Sequence, residues 1–412
     1  MGVWVLAGAM ACHRAPSPAL DGAATPASAV ASGSASAVAS ASAQPAALAL
    51  PTPAALAAPF RATNAHGFVA VTGIDSAGAS HRVITSLGDA LPQQAIPIAS
   101  FTKLWTAVAA LRLVAAHRLA LTDRVADLLP SLASRPWSDS TLAELMSHTS
   151  RVPEFDEAGG YFSKRDVTFT DPVATLEKHL SRTATEKRGV FKYKNAEYAL
   201  VGAILATRAA VPFPELLKRE VFDPARMSHS GLLMGAIPAE VDARSLGTVR
   251  AQNFFAAGAG YSTPEDLLAF FEALSGDALL DEPSKALLFD GQKSRGYGAL
   301  GCWAYPFTSG DAGATLLVER KGALGDLSLF SAFLPEPPVP TSRETAPSGY
   351  LCTDGRRMVP RTCPSLPRFS FPQFPPWRAI ASSVTSPSAG RWWRAVHRRR
   401  GVDSRRQRSC DC

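Results

Sequence analysis

Cysteine is almost absent from the body of the chain. Cys302 is the one cysteine between positions 13 and 340 of the 412 residues. A body with a single cysteine cannot form an internal disulfide, so cysteine usage does not indicate the redox compartment. The remaining cysteines lie in the first and last segments: Cys12, Cys352, Cys363, Cys410 and Cys412.

Excess positive charge is also missing from the body, although the whole chain carries a formal net charge of +7. Residues 341–412 hold fourteen arginines and four acidic residues, a net of +10. Residues 1–340 hold 28 basic and 31 acidic residues, a net of −3. The body therefore offers no electrostatic basis for binding nucleic acid or anionic lipid, and we expect no nucleic-acid partner.

Signatures of other hydrolase classes are missing as well. No Gly-x-Ser-x-Gly occurs, which argues against the nucleophile elbow of an α/β-hydrolase. No His-Glu-x-x-His and no close group of cysteines and histidines occurs, so we predict no metal site. The chemistry is expected to need no cofactor.

The first 62 residues form two segments of different composition. Residues 1–14 start with MGVWVLAGAMA and reach Cys12, which resembles the end of a lipoprotein signal peptide with Cys12 as the lipidated residue. Residues 15–62 are mostly Ala, Ser and Pro and predict a disordered linker, because they offer little apolar surface to bury. We therefore expect export to the periplasm or lipid-anchored cell envelope of a bacterium, with a membrane tether through Cys12.

The last segment, residues 339–412, is rich in Arg, Pro and Ser, and from position 341 it has no Lys. It shows no durable hydrophobic period, so it predicts disorder. Two interpretations of its origin stay open. Arginine as the only strongly basic residue is typical of out-of-frame translation of a GC-rich gene, whereas a genuine basic tail usually mixes Lys with Arg. The alternative is a genuine disordered extension.

Between these segments, residues 63–338 predict one folded domain. Short β-branched runs at 67–72 and 82–87 flank a turn and indicate a hairpin. Helical patterns follow, the first of them apolar on nearly every face from 101 to about 117, and two strands are predicted at 315–320 and 328–334. This order favours an α/β fold with a sheet built from both ends of the domain and a helical insertion between them.

The sequence Ser100-Phe101-Thr102-Lys103 opens the most apolar helix. Residues three apart share a helix face, so the Lys103 ammonium can reach the Ser100 hydroxyl. Burial would lower the pKa of Lys103 and let it help remove a proton, and the helix N-terminus favours an oxyanion. The competing interpretation is an N-cap serine beside a surface lysine.

A second element is Tyr193-Lys194-Asn195, in FKYKNAEYALVGAIL. A tyrosine can act as a general base if a nearby cation lowers its pKa. An amide two residues later can contact a lysine or a substrate carbonyl. Taken alone, the pattern fits a turn before the next helix equally well.

Several segments in one order resemble the serine β-lactamase-like family, which includes class C β-lactamases, DD-carboxypeptidases and related esterases. The resemblance covers residues 66–336 and implies a β-lactamase/transpeptidase-like fold. It implies that Ser100 is the nucleophile, Lys103 its proton partner, Tyr193 the general base, and Asn195 a contact of substrate and Lys103. The segments are IPIASFTKLWTAVAALRLV, LALTDRVADLLPSL, LAELMSHTSRVPEF, FKYKNAEYALVGAIL, VFDPARMSHSGL and AAGAGYSTPEDLLAFFEAL.

The third motif of the family, Lys-Thr-Gly or His-x-Gly on the strand at the cleft, is altered here. As His-x-Gly, Arg320 replaces the histidine and Gly322 is kept; as Lys-Thr-Gly, Lys321 is kept and Gly322 replaces the threonine. Either register supplies a cation for a substrate carboxylate, and the second oxyanion N–H comes from about Ala323. The family also places His148 in a structural turn rather than in a catalytic triad.

A C-terminal strand and helix of the family have no clear match. The strand would lie in the sheet between the hairpin and the strand before it, and 348–353 match it only slightly. An empty position would leave backbone groups unpaired and lower the stability. The resemblance implies a monomeric serine hydrolase acting on a small-molecule or peptidoglycan-like substrate through a β-lactam, amide or ester carbonyl. The alternatives are a non-catalytic binding protein of the cell envelope and an inactive truncated product.

Overall fold

The computed structural model describes residues 50–61, 65–75, 78–184, 187–308 and 314–335, together with the backbone of residues 3–10. Cys12, the linker before residue 50 and the segment from residue 336 onward lie outside the described residues. Predictions about lipidation, about the Arg-rich segment and about a strand at 348–353 therefore concern parts of the chain that are not described.

The described strands form a six-stranded antiparallel sheet and a small three-stranded one. The order of the large sheet is β3-β2-β1-β9-β8-β7, and that of the small sheet is β4-β6-β5. The strands are β1 Val3–Met10, β2 His66–Ile74, β3 Ser80–Leu87, β4 Ile96–Pro97, β5 Gly231–Leu232, β6 Gly260–Ser262, β7 Trp303–Thr308, β8 Ala314–Leu324 and β9 Leu327–Phe333. The predicted sheet, with strands from both ends of the domain and helices inserted between them, is confirmed.

Strand β1 joins the two parts of the large sheet. Its backbone pairs antiparallel with β2 from Val3 to Met10 and with β9 from Val5 to Met10. The sequence offered no clear C-terminal strand for this position, and in the structure the first segment of the chain occupies it. The same residues that resemble an export signal thus satisfy backbone groups of two central strands.

The helices lie between β3 and β7 in the sequence, except α1, which precedes β2. They are α1 Pro53–Ala57, α2 Thr102–Ala115, α3 Val125–Leu128, α4 Leu142–Met146, α5 Pro172–His179, α6 Asn195–Ala209, α7 Phe213–Leu217, α8 Pro264–Ser275 and α9 Glu282–Leu288. Short 3-10 helices lie at Ala58–Phe60, Ala99–Phe101, Pro130–Leu132, Tyr161–Ser163, Arg244–Leu246, Ala251–Ala257 and Lys293–Arg295, and a π-helix at Lys218–Phe222. Helix α1 lies in the segment that we predicted as a disordered linker. Leu56 of this helix and Phe60 just after it pack in one cluster with Val69.

Helices α2 and α6 form the centre of the molecule. Eleven residues of each helix are buried, which fits their apolar sequence on all faces. Trp105 of α2 packs edge-on against Phe101 and Phe222. Helix α8 begins as its sequence predicts, with the Thr263 side chain accepting the Asp266 N–H. The rigid packing of α2 against α6 fixes the side chains at their N-terminal ends, where the candidate site lies.

No single helix among the described residues is long and apolar enough to cross a membrane. One pair, Asn195–Ala209 with Phe213–Phe222, passes a test of length and composition together, with a bend of 82° between its members. Most of Asn195–Ala209 is buried inside the protein, as expected for a core helix.

Candidate active site

Ser100 lies in the tight turn that leads into α2. Ala99 before it has a φ of 49°, a left-handed conformation that is uncommon for a residue with a Cβ. The turn is held by bonds from the Phe101 N–H to the Ile98 carbonyl and from the Ile98 N–H to the Gly260 carbonyl. Strained backbone held in this way is typical of functional positions, and here it presents the Ser100 side chain at the helix N-terminus.

Lys103 lies one turn into α2 and is fully buried. Its ammonium donates to Ser100 Oγ at 3.2 Å, to Asn195 Oδ1 at 2.8 Å and to the Ala257 carbonyl at 2.8 Å. Burial lowers the pKa of Lys103 to about 8, because the surroundings disfavour its charged form. A lysine with this pKa can exchange a proton near neutral pH. The burial of Lys103 also excludes the interpretation of this residue as a surface lysine.

Tyr193 lies in the segment just before α6 and contacts Ser100. Its hydroxyl lies 2.9 Å from Ser100 Oγ, and the Lys103 ammonium lies 4.7 Å from the centre of its ring. Burial raises the pKa of Tyr193, but the charges of Arg320 and Lys103 more than offset this and lower it to about 8. The phenol can therefore act as a general base.

Asn195 begins α6, and its amide oxygen accepts from Lys103. The N-terminus of this helix is held by Glu154, whose carboxylate accepts the Asn195 N–H at 2.5 Å and the Ala196 N–H at 3.0 Å. A carboxylate at this position satisfies N–H groups that have no partner in the helix and faces the positive end of the helix dipole. The structure thus brings Ser100, Lys103, Tyr193 and Asn195 together, as the sequence predicts.

Arg320 of β8 has the place of histidine in the third motif. Its Nε donates to the Ser100 carbonyl at 2.7 Å and its Nη2 to the Tyr193 hydroxyl at 2.9 Å. Only 2% of the residue is exposed. We expected this cation to receive a substrate carboxylate. The described contacts show a different use, because Nε and Nη2 of the guanidinium are already bound to the Ser100 carbonyl and the Tyr193 hydroxyl.

Gly322 follows on the same face of β8 and packs against the turn before Ser100. A Cβ at this position would lie 2.3 Å from the Ile98 carbonyl oxygen and 3.3 Å from the Ala99 Cβ. A glycine is therefore required for β8 to approach the nucleophile turn closely. This contact favours the register Arg320-x-Gly322.

Lys321 is not brought to the site. Successive side chains of a strand point to opposite faces, so Lys321 points away from Tyr193 when Arg320 points towards it. The Lys321 ammonium pairs with Glu319 at 2.8 Å and lies 5.3 Å from the centre of the Phe330 ring. Ala323 follows Gly322 at the end of β8, where it pairs with Ser328 of β9.

His148 lies behind Tyr193, with a distance of 4.5 Å between the two ring centres. The His148 ring nitrogen Nδ1 lies 2.6 Å from the Glu197 carboxylate and 3.3 Å from the Lys194 N–H, which it accepts. The His148 backbone carbonyl accepts the Lys192 N–H. Burial holds the pKa of His148 well below its usual range. Its backbone and ring support the segment that carries Tyr193, which fits the structural turn that we predicted.

The sequence did not single out Glu154, Lys194 or Glu197. Lys194 is buried and donates to the carbonyls of Ser150 and Val152, and it lies 3.4 Å from Glu197. Burial raises the pKa of Glu197 to about 8. The available signal was Glu197 in the otherwise apolar run AEYALVGAIL, since a charged residue inside a buried helix needs a partner.

The fold matches solved structures. A penicillin-binding protein from Bacillus halodurans has a TM-score of 0.52 and 22% identity, over 65% of this chain and 90% of that one. A D-stereospecific amidohydrolase from Streptomyces sp. has a TM-score of 0.52 and 20% identity, over 61% of this chain and 86% of that one. At these identities the likeness shows the β-lactamase/transpeptidase-like fold.

Sequence comparison adds the family. "Putative penicillin-binding protein PbpX" of Bacillus subtilis is 27% identical over 141 residues, which are 34% of this chain and 33% of that protein. A Beta-lactamase of Yersinia enterocolitica is 25% identical over 134 residues, which are 32% of this chain and 32% of that protein. The match therefore spans about a third of the length of each of these curated relatives. Residues 82–334, more than half of the chain, match the Beta-lactamase family model. The chain belongs to the Beta-lactamase family.

Proposed function

We propose that this chain is a serine hydrolase that acts through an acyl-enzyme on an amide, β-lactam or ester carbonyl. One observation carries the proposal. Ser100 Oγ lies 2.9 Å from the Tyr193 hydroxyl and 3.2 Å from the Lys103 ammonium, so a nucleophile faces two groups that can take its proton. Each of these groups has a pKa of about 8, close to the value at which general acid–base catalysis is most efficient near neutral pH.

In the acylation step, Ser100 Oγ attacks the carbonyl carbon and its proton passes to the Tyr193 phenolate. The Oγ–C bond forms, and the electron pair of the carbonyl bond moves to oxygen. We assign the N–H groups of Ser100 and Ala323 to this oxyanion. When the carbonyl forms again, the C–N or C–O bond breaks, and Tyr193 gives the proton to the leaving nitrogen or oxygen.

In the deacylation step, a water molecule attacks the acyl carbon and gives one proton to Tyr193. The bond from the water oxygen to carbon forms, the Oγ–C bond breaks, and Tyr193 returns the proton to Ser100 Oγ. The positive charges of Lys103 and Arg320 stabilise the phenolate form of Tyr193 during both steps. Asn195 keeps Lys103 in place through the 2.8 Å bond between its amide oxygen and the ammonium.

Hydrolysis of simple carbonyl substrates tests this function. The full chain is mixed with p-nitrophenyl butyrate and with a fluorescent penicillin, and the variants Ser100→Ala and Ser228→Ala are compared. We expect Ser100→Ala to lose at least about 10³-fold in rate, as expected when a nucleophile is removed. Ser228 is exposed, so Ser228→Ala should retain the activity of the unchanged chain. Equal rates for all three proteins, or no turnover of any substrate, would contradict the proposal.

We also propose that the chemistry takes place in the cell envelope, which the apolar stretch before Cys12 supports. Cleavage of a leader before Cys12 would remove Val3–Met10. A molecule that has been exported and cleaved in this way therefore cannot contain strand β1. N-terminal sequencing of the protein from the membrane fraction tests the proposal. A lipidated Cys12 at the N-terminus would support it, and a retained Met1 would contradict it.

A further inference from the structure

Four polar side chains form a buried cluster behind Tyr193, and the proposed mechanism uses none of them. They are His148, Ser150, Lys194 and Glu197, and each is at most 4% exposed. Ionisable groups are rarely buried unless they have a partner or a task, because a charge is costly to remove from water. The contacts within the buried cluster indicate which of these groups carry a charge and which do not.

One carboxyl oxygen of Glu197 acts as an acceptor. Ser150 donates its hydroxyl hydrogen to Glu197 Oε1 at 2.5 Å. The Lys194 ammonium lies 3.4 Å from the same oxygen, whereas its shorter bonds, of 3.0 and 2.7 Å, go to the carbonyls of Ser150 and Val152. Backbone carbonyls thus satisfy most of the Lys194 ammonium, which does not require a negative charge on Glu197.

The other carboxyl oxygen, Oε2, lies 2.6 Å from His148 Nδ1, so a hydrogen atom must lie between the two. His148 Nδ1 accepts the backbone N–H of Lys194 at 3.3 Å, which places its lone pair, and not a hydrogen, on this nitrogen. A neutral imidazole carries a hydrogen on only one of its nitrogens. We therefore assign the shared hydrogen to Glu197 Oε2 and the ring hydrogen to His148 Nε2.

The electrostatics of the buried cluster agree with this assignment. Burial raises the pKa of Glu197 to about 8, with the Lys194 charge opposing the rise and the Glu154 charge adding to it. Burial and the nearby cations hold the pKa of His148 well below its usual range. Near neutral pH the carboxyl group therefore keeps its proton and the imidazole stays neutral.

His148 connects the buried cluster to the candidate base. Its ring centre lies 4.5 Å from that of Tyr193, and the two rings are tilted by 45°. His148 Nε2 is buried and has no hydrogen-bond partner among the described residues. A buried N–H without an acceptor costs free energy, so another contact must hold the imidazole in this orientation. The bond from Glu197 to Nδ1 is that contact.

We propose that protonated Glu197 donates to His148 Nδ1 and that the two residues position the ring of Tyr193 for catalysis. The inference rests on the proposed function, because Tyr193 is the base of that reaction. The hydroxyl of Tyr193 lies 2.9 Å from Ser100 Oγ. A small movement of the ring would lengthen this distance, so loss of the support lowers the rate of proton transfer.

Two variants of Glu197 test its role with p-nitrophenyl butyrate as substrate. Glutamine copies the protonated carboxyl group, since its amide nitrogen donates to Nδ1 and its oxygen accepts from Ser150. Methionine has a similar length and no donor. We expect Glu197→Gln to keep kcat within about twofold, and Glu197→Met to lower kcat at least about tenfold with KM changed less than about twofold. An equal loss in both variants, or no loss in Glu197→Met, would overturn the proposal.

Glu157→Met is the matched control, because Glu157 is exposed. We expect it to keep the kcat of the unchanged chain. A loss of kcat in Glu157→Met as large as that in Glu197→Met would show that the effect is not specific to the buried cluster, and would overturn the proposal.

Infrared spectroscopy tests the protonation of Glu197 without relying on turnover. The spectrum of Glu197→Gln is subtracted from that of the unchanged chain near neutral pH. We expect the difference to contain the carbonyl band of a protonated carboxyl group. A carboxylate band in its place would overturn the proposal. This measurement and the kcat of Glu197→Gln decide the matter if Glu197→Met does not fold.

Failure of this inference can be distinguished from failure of the function itself. Turnover by the unchanged chain that is equally fast in Glu197→Met would overturn the positioning role and leave the hydrolase function intact. No turnover by the unchanged chain and no labelling of Ser100 by a fluorophosphonate would overturn the function and the positioning role together.

Discussion

Arg320 donates to the Tyr193 hydroxyl at 2.9 Å while it also donates to the carbonyl of Ser100 at 2.7 Å. One guanidinium thus contacts the candidate base and the backbone of the candidate nucleophile, and its planar geometry fixes the distance between them. Its charge favours the phenolate form of Tyr193. The residue that we expected to bind substrate therefore contacts the candidate base and lowers its pKa.

Removal of the Arg320 charge should shift the pH dependence of the reaction. The reactive form needs Tyr193 without its proton, and the pKa of this group is lowered to about 8 by Arg320 and Lys103 against the effect of burial. Activity should therefore rise with pH through about 8. In Arg320→Gln the pKa of Tyr193 rises, so the rising limb should move up by about one pH unit or more. Profiles of kcat/KM against pH check this, and an unshifted limb would show that Arg320 does not set the state of Tyr193.

Loss of the Tyr193 hydroxyl should lower activity without unfolding the protein. We expect Tyr193→Phe to reduce kcat by about 10²- to 10⁴-fold, the usual contribution of a general base. Tyr161→Phe is a matched control, because the Tyr161 hydroxyl is buried and has no hydrogen-bond partner among the described residues. Its ring packs on Phe155 and stays in the variant. A similar loss in both variants, measured with p-nitrophenyl butyrate, would argue against a specific role of Tyr193.

A methyl group at Gly322 should disturb the site by pushing β8 away from the turn before Ser100. Since the added Cβ would lie 2.3 Å from the Ile98 carbonyl oxygen, we expect Gly322→Ala to lower the free energy of unfolding by about 1–3 kcal/mol, and to lower kcat. Gly235→Ala is the control, because a Cβ there meets nothing within 4 Å. Urea unfolding measures both variants, and equal stability of the two would show that β8 does not approach the turn this closely.

Strand β1 makes a prediction about stability. Proline lacks an N–H and is poorly tolerated in a strand that has neighbours on both sides, as β1 has. We therefore expect Ala7→Pro, made in a chain that keeps its first segment, to lower the melting temperature by at least about 4 °C. Deletion of residues 2–11 should have a similar or larger effect. Unchanged melting temperatures would mean that Val3–Met10 does not complete the sheet.

The sequence predicted the nucleophile side of the site well. Ser100 and Lys103 are three residues apart on one helix, so local geometry alone brings their side chains together. Tyr193 and Asn195 could be placed opposite them through the order of several segments, which the resemblance to a family supplied. The structure adds the distances and the burial that distinguish a reactive lysine from a surface one.

The contacts between distant segments could not be predicted in the same way. The sequence allowed two registers for the third motif, and the approach of Gly322 to Ile98, which favours one of them, is a contact between distant segments. Glu154 has no motif of its own, and its role depends on the position of α6. Strand β1 was missed because an apolar run with small residues fits an export signal as well as a strand, and pairing with β2 and β9 is a long-range property.

The central claim is that Ser100 is the acylated residue, and labelling by a fluorophosphonate tests it most directly. The full chain and Ser100→Ala are treated with the probe, and the site of attachment is located by mass spectrometry of peptides. We predict one adduct on the peptide that contains Ser100, with labelling that rises with pH through about 8 and is absent in Ser100→Ala. An adduct on another serine, or equal labelling of Ser100→Ala, would contradict the account.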